Sequence, residues 1–164
     1  MPCFKVTQVE SLQSTIEEKM AYVALQSHQM LILAGASCEQ IHSLARVPRL
    51  PLSERLCEKL LPLSHKRRID EAEQQLEALI MLEPGGPILL DRIQVLFEPT
   101  LQLDVLRCLK AISKYRMLIV NWPGDYDGNN LFFSMPGKAD YVNYSESDLN
   151  SVPVLWLAGN GEPK

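Results

Sequence analysis

Four short apolar runs, two of which end in a polar residue, constrain the fold of this chain more than any other feature of the sequence. The runs "MLILA" (30–34), "ILLD" (88–91), "MLIVN" (117–121) and "VPVLWL" (152–157) show no alternation of apolar and polar residues. Runs of this kind are typical of strands that are buried on both faces, as in a parallel sheet. Because helical segments separate them, the sequence predicts a three-layer α/β domain with a mainly parallel sheet.

The helical segments are recognised by apolar residues at spacings of three and four. An N-terminal helix over about residues 8–26 is predicted by Val9, Leu12, Ile16, Met20 and Val23. With 164 residues, the chain is expected to form a single domain (1–164) whose tail frays after about residue 158. Further helices are predicted at 53–61, at 69–83 and around Leu103–Ile112, and a further strand at 131–135.

Composition and charge exclude several classes of protein. The apolar fraction of 46% and the charged fraction of 22% are typical of a folded domain. The net charge of -4 gives the surface as a whole no attraction for DNA or anionic lipid. The N-terminus lacks the apolar core of a signal peptide, and no apolar run approaches the ~20 residues that span a bilayer. We therefore expect a soluble, cytoplasmic protein with no membrane partner.

Cysteine and histidine spacing indicates neither a metal site nor a disulfide framework. The four cysteines, Cys3, Cys38, Cys57 and Cys108, lie far apart and form no C-x-x-C pair. The histidines are not paired with cysteines or acids, and no nucleophile-elbow pattern accompanies them. The sequence thus predicts reduced thiols, no metal site and no catalytic triad.

The segment "LILAGASCEQIHSLA" (31–45) begins as a phosphate-binding loop begins, with a buried strand, a glycine and a helix start. On the pattern G-x-x-x-x-G-K-[ST], Gly35 fits the first glycine. Gln40 replaces the second glycine, Ile41 the lysine and His42 the hydroxyl residue. Because the lysine neutralises phosphate and the hydroxyl holds magnesium, nucleotide binding here should be weak or absent. The alternative is an ordinary turn, since glycine ends many strands.

Ser37 and Gln40 match the capping-box pattern S-x-x-Q at the start of a helix predicted to end near Ala45. The Ser37 hydroxyl can accept from the Gln40 N–H, and the Gln40 side chain can reach back to the Ser37 N–H. In a P-loop, a phosphate would satisfy such amides. The capping box therefore predicts that the chain satisfies this helix start by itself.

Two polar residues at strand ends complete the candidate nucleotide site. Asp91 ends "ILLD" as the acid of a Walker B strand does, and Asn121 ends "MLIVN" where AAA-like ATPases place a γ-phosphate sensor. Arg92 follows Asp91, where hydrolysing relatives usually carry a second acid. Capping by Asp and turn formation by Asn are the alternatives. Glycine turn, acid and amide nevertheless follow P-loop ATPase order, which favours a P-loop-like fold but not P-loop activity. The candidate cofactor-binding residues are Gly35, Ser37, Asp91 and Asn121.

A basic stretch offers a different activity. Arg46, Arg49 and Arg55 precede the tract "HKRR", which contains Lys66, Arg67 and Arg68. Such a cluster is most often a solvated face, and the alternative is a DNA-binding surface.

Several longer segments resemble the BrxF family, the small P-loop proteins of type 3 BREX systems that protect bacteria against phage. The resemblance covers about residues 28–145 and rests on "LILAG", residues 89–109, "VNWPG" and "PGKADY". It implies an AAA-like P-loop fold and cytoplasmic partners: a large ATPase, a methyltransferase and a phosphatase-like protein. Family members usually have an intact Walker A motif, from which this chain departs at Gln40, Ile41 and His42.

Three hypotheses follow from the sequence. The first is a BREX accessory subunit that hydrolyses no ATP, carries no cofactor and acts through protein contacts. The second is an AAA-like subunit that binds ATP and magnesium with a lysine supplied from elsewhere. The third is a DNA-binding adaptor that uses the basic stretch. A homo-oligomer is compatible with each of them.

Overall fold

The computed structural model describes residues 3–6, 9–37, 40–41 and 47–157. The main sheet is built from β1 (Cys3–Val6), β2 (Met30–Ala34), β3 (Arg49–Pro51), β4 (Ile88–Asp91), β5 (Leu118–Trp122) and β9 (Val154–Leu157). Its six strands lie in the order β1-β9-β2-β5-β4-β3, and every neighbouring pair is parallel. The predicted α/β class with a mainly parallel sheet is confirmed.

Helices connect these strands, and a small second sheet precedes the last one. The helices are α1 (Val9–Val23), α2 (Leu52–Leu60), α3 (His65–Leu82), α4 (Val105–Ser113) and α5 (Glu146–Leu149), and two 3-10 turns span Gln94–Phe97 and Pro99–Leu101. The second sheet is antiparallel and contains β6 (Asp125–Tyr126), β7 (Leu131–Phe133) and β8 (Val142–Tyr144).

The main sheet is covered on both faces, as its apolar runs predict. In β2, Leu31 and Leu33 join an apolar cluster with α1, whereas Met30, Ile32 and Ala34 join a second cluster on the other face. That second cluster contains residues of α2, α3 and α4 and of the small sheet. Since side chains alternate between the faces of a strand, burial on both sides requires apolar residues at every position.

Local signals position the helices that flank the sheet. The Ser64 hydroxyl accepts from the Arg67 N–H at the start of α3, and the Asp104 carboxylate accepts from the Arg107 N–H at the start of α4. Both are N-cap contacts of the kind that end an extended segment and begin a helix. Among the described helices, none is long and apolar enough to cross a membrane.

Some predicted elements need correction. The helix predicted from residue 69 begins four residues earlier, at His65, because Ser64 provides the N-cap. The strand predicted at 131–135 is short and belongs to the antiparallel sheet, where its partners are strands that the sequence analysis missed. Strand β1 and helix α5 were also missed. Most of the helix predicted after Ser37, and the tail after residue 157, lie outside the described residues.

Candidate functional site

Three of the predicted cofactor positions lie at the carboxyl ends of three neighbouring strands. Gly35 follows β2, Asn121 lies near the end of β5, and Asp91 ends β4. Asn121 of β5 is in register with Leu33 of β2. Leu90 of β4 is in register with Val120 of β5, so Asp91 and Asn121 directly follow a pair of neighbouring residues. The parallel sheet therefore brings residues that are far apart in sequence to one edge.

The Asp91 carboxylate is held by three donors from the protein itself. Asn121 Nδ2 donates to Asp91 Oδ1 at 2.7 Å, and the Arg92 N–H donates to the same oxygen at 2.9 Å. Arg49 Nη1 lies 3.0 Å from Asp91 Oδ2, where it forms an ion pair and a hydrogen bond. Both carboxylate oxygens are thus engaged, and Asp91 as a whole is only 8% exposed.

Arg49 reaches Asp91 because β3 and β4 are parallel neighbours. Pro51 is in register with Asp91, and Arg49 lies two residues earlier on the edge strand. Residues two apart project from the same face of a strand, so the long Arg49 side chain can run along that face to the carboxylate. The guanidinium thereby provides a positive charge beside the Asp91 carboxylate.

Gly35 is required by the packing of the sheet itself. Its φ is +81°, and a Cβ placed on it would lie 2.5 Å from the carbonyl oxygen of Leu157 in β9. A side chain at this position would therefore be both conformationally strained and in collision with backbone. The positive φ and the nearby Leu157 carbonyl therefore explain the glycine at position 35 without a bound phosphate.

The helix start after Gly35 is closed by the predicted capping box. The Ser37 N–H donates to Gln40 Oε1 at 2.7 Å, and the Gln40 N–H donates to Ser37 Oγ at 3.1 Å. Gln40 and Ile41 are each 5% exposed, and Ile41 packs in the apolar cluster of α1. Ile41, which aligns with the lysine of the P-loop pattern, therefore contributes to the core. Gln40, which aligns with the second glycine, accepts a hydrogen bond from the Ser37 N–H, an amide that could otherwise contact phosphate.

An aromatic group covers the neighbouring end of β5. Trp122 Nε1 donates to the Phe132 carbonyl at 2.6 Å. Phe97 contacts the Trp122 ring edge-on and stacks on Phe133 with ring centroids 4.1 Å apart. These contacts fasten the small antiparallel sheet to the carboxyl edge of the main sheet, beside Asp91 and Asn121.

The described part of the predicted basic surface is largely engaged in contacts within the chain. Arg67 pairs with Glu71 across one helical turn, and Arg68 donates to the carbonyls of Leu60, Leu61 and Leu63. Lys66 is exposed on the first turn of α3, whereas Arg49 is bound to Asp91. Arg46 and His42 lie outside the described residues. DNA binding through this stretch stays a prediction.

The sequence pattern predicts Arg49 to be part of the basic surface and gives no sign of its contact with Asp91. The two residues are 42 positions apart, and no local pattern connects them. Only the pairing of β3 with β4 could have revealed the contact. Among the side chains that the structure describes, no group of three or more His, Cys, Asp or Glu residues could hold a metal ion.

Comparison of the chain with models of protein families, with curated proteins and with solved structures found no match.

Proposed function

We propose that this chain is a P-loop-like subunit of a BREX-type phage defence system that hydrolyses no ATP and acts through contacts with other BREX proteins. The observation that carries the proposal is the Asp91 cluster, in which Arg49, Asn121 and the Arg92 N–H occupy both carboxylate oxygens.

The placement of the candidate residues supports a P-loop-like origin. A P-loop protein must bring its glycine turn, its magnesium-binding acid and its sensor residue around one nucleotide. Gly35, Asp91 and Asn121 occupy one edge of a parallel sheet on adjacent strands. Together with the BrxF-like segments, this arrangement favours the P-loop-like hypothesis over an unrelated α/β fold.

The contacts around these residues support the absence of hydrolysis. Magnesium needs oxygen ligands in a near-octahedral shell, and the Asp91 oxygens already accept from three donors. Gln40 accepts from the Ser37 N–H, and Ile41 has no charge with which to neutralise phosphate. The groups that would bind phosphate and magnesium in a P-loop protein are thus replaced by contacts within the chain that stabilise the fold.

Nucleotide titration tests the proposal directly. A ligand that binds only the folded state stabilises it by about 2.7 kcal/mol at a hundredfold excess over Kd. We expect Mg-ATP to leave the melting temperature of the purified chain unchanged, and phosphate release to stay at background. ATP turnover by the purified chain would contradict the proposal if Asp91→Ala abolished it and the control Asp70→Ala did not. Asp70 is an exposed residue of α3.

The partner contacts need a separate test. Tagged wild type and Asp91→Asn should each retain the same BREX protein after co-expression with the large ATPase, the methyltransferase and the phosphatase-like protein. Retention should not depend on added ATP, because the proposed subunit needs no nucleotide. Failure of all three proteins to bind, or binding that requires ATP at the Asp91 site, would refute the scaffolding role.

A further inference from the structure

A cavity with both polar and apolar lining residues lies along helix α4, from Asp104 at the start of the helix to Lys114 after its end. It has a volume of about 470 Å³ and runs along α4 toward β8 and α5, with His28, Lys110 and Lys114 among its lining residues. His28 lies just before β2, and Lys114 lies between α4 and β5. The Gln29 N–H donates to the Ser113 carbonyl, which holds His28 beside the carboxyl end of α4.

Positive charge is concentrated at the His28 end of this cavity. Burial, and then the charges of Lys110 and Lys114, lower the pKa of His28. Lys110 Nζ donates to the Asp148 carbonyl at 3.0 Å. Among the ion pairs between described residues, none involves Lys110 or Lys114. Neither lysine charge is matched by a contacting carboxylate in that part of the chain.

The acids in the cavity wall are committed to other contacts. Asp104 Oδ1 accepts from the Arg107 N–H and from the Tyr144 hydroxyl. Asp148 Oδ2 accepts from the Ser145 N–H at 2.8 Å and from the Ser145 hydroxyl, as part of a capping box. Arg107, the remaining cation of the wall, pairs with Glu73 at 3.2 Å. Among the cations of the wall, Lys110 and Lys114 are therefore the two for which the described residues show no ion pair.

A second cavity of about 190 Å³ shares His28 with the first. Its wall includes Ser27, Asn150 and Ser151, all uncharged hydrogen-bonding residues. Asn150 and Ser151 have φ values of 45° and 79°, so two consecutive residues other than glycine adopt the left-handed conformation. Asn150 is the C-cap of α5, where a left-handed residue commonly ends a helix.

We propose that these joined cavities bind a small phosphate ester, with the phosphoryl group between His28, Lys110 and Lys114. Lysine binds phosphate as a point charge, and a doubly charged phosphoryl group would neutralise both ammonium groups. The larger cavity alone falls within the range of about 300–1,000 Å³ that is typical of small-molecule sites. Leu106 and Tyr144 provide apolar and aromatic surface for the organic part, and the second cavity provides hydroxyls.

NMR of the His28 imidazole tests this site with inorganic phosphate, ribose 5-phosphate and citrate at constant ionic strength. The His28→Gln variant assigns the resonance among the three histidines. We expect saturable shifts with phosphate and at least tenfold tighter binding of ribose 5-phosphate. The pKa of His28 should rise on binding, because the bound anion offsets the two lysine charges.

Lys110→Gln/Lys114→Gln should weaken ribose 5-phosphate binding at least tenfold. Lys114→Gln alone should also weaken ribose 5-phosphate binding. Lys114 is exposed, and this substitution removes no hydrogen bond that the structure describes. Lys138→Gln, in an exposed turn, is the matched control and should bind as wild type does.

Absence of saturable shifts with either phosphate compound would overturn the proposal. Equal binding by wild type and Lys114→Gln would also overturn the proposal, since it would show that the anion does not bind beside Lys114. Citrate that binds more tightly than ribose 5-phosphate would replace the phosphate assignment with a carboxylate one. None of these results depends on whether the chain belongs to a defence system.

Discussion

At the scale of single residues, Gly35, Ile41 and Asp91 each have a contact within the chain that stabilises this fold. Gly35 lets β2 end against the Leu157 carbonyl, and Ile41 packs in the core. Asp91 joins β3, β4 and β5 through Arg49 and Asn121. What each of these residues contributes is thus decided by the residues that surround it.

A series of glycine substitutions separates steric collision from backbone strain. Gly35→Ala should lower the free energy of unfolding by clearly more than ~1 kcal/mol, because it adds a collision with the Leu157 carbonyl to the cost of a positive φ. Gly137→Ala has a positive φ and open space, so it should cost about 1 kcal/mol. Gly85→Ala has neither and should be nearly neutral. Urea unfolding measures all three, and equal costs for Gly35 and Gly137 would contradict the collision.

Removing Arg49 should expose the cost of leaving Asp91 without its cation. We expect Arg49→Met to lower the free energy of unfolding by about 1–2 kcal/mol, less than for a buried pair because the Arg49 side chain is 40% exposed. Arg55→Met is the control: its contact with Glu83 is 3.9 Å long and should contribute at most about 0.5 kcal/mol. If the two variants unfold at the same urea concentration, Arg49 does not stabilise the cluster.

At the scale of elements, one arginine fastens the end of α3 to the start of β4. Arg116 is 7% exposed and donates to the carbonyls of Ile80, Glu83, Pro84 and Gly86. The last carbonyls of a helix have no partner within the helix, and burial without one is costly. This single side chain therefore satisfies the helix end and the turn that leads to β4.

Arg116→Met should lower the free energy of unfolding by about 3 kcal/mol, because it leaves several carbonyls without their charged donor. Arg116→Lys should restore only part of this loss, since an ammonium cannot reproduce the planar fork of the guanidinium. Arg67→Met, which removes an exposed pair one turn apart, should cost about 0.5 kcal/mol. Chemical denaturation of the four proteins gives the comparison, and full rescue by lysine would show that the fork geometry is unimportant.

At the scale of the whole molecule, packing of α4 against the small sheet links stability to alkaline pH. Burial raises the pKa of Cys108 from 9.0 to about 12, with the Glu73 charge as a second cause. Burial also raises the pKa of Tyr144 from 10.0 to about 12. Each group thus keeps its proton longer in the folded chain than in the unfolded one.

We expect stability to be fully present below pH 9 and to fall as pH rises toward 12, because the unfolded chain loses these protons first. Tyr144→Phe should flatten the fall above pH 10, and Cys108→Ala should flatten it from pH 9 upward. Urea midpoints measured from pH 8 to 12 provide the test. An unchanged slope in both variants would show that other groups cause the alkaline loss.

Much of this architecture could be predicted locally. The runs at 30–34 and 88–91 coincide with β2 and β4, because strands buried on both faces must be apolar at every position. The Ser37–Gln40 capping box also formed as predicted, since its atoms are only three residues apart. Strands β6 and β8 of the antiparallel sheet were missed because two or three residues carry no periodicity.

The sequence by itself determined the α/β class, the alternation of strands and helices, and the residues Gln40, Ile41 and His42 that follow Gly35. These properties depend on residue identity and on neighbours within a few positions. Only the tertiary structure decided that Arg49 occupies the Asp91 carboxylate and that His28 faces Lys110 and Lys114. Those contacts arise from strand order and helix packing, which join residues separated by 42 or more positions through surfaces that no local pattern specifies.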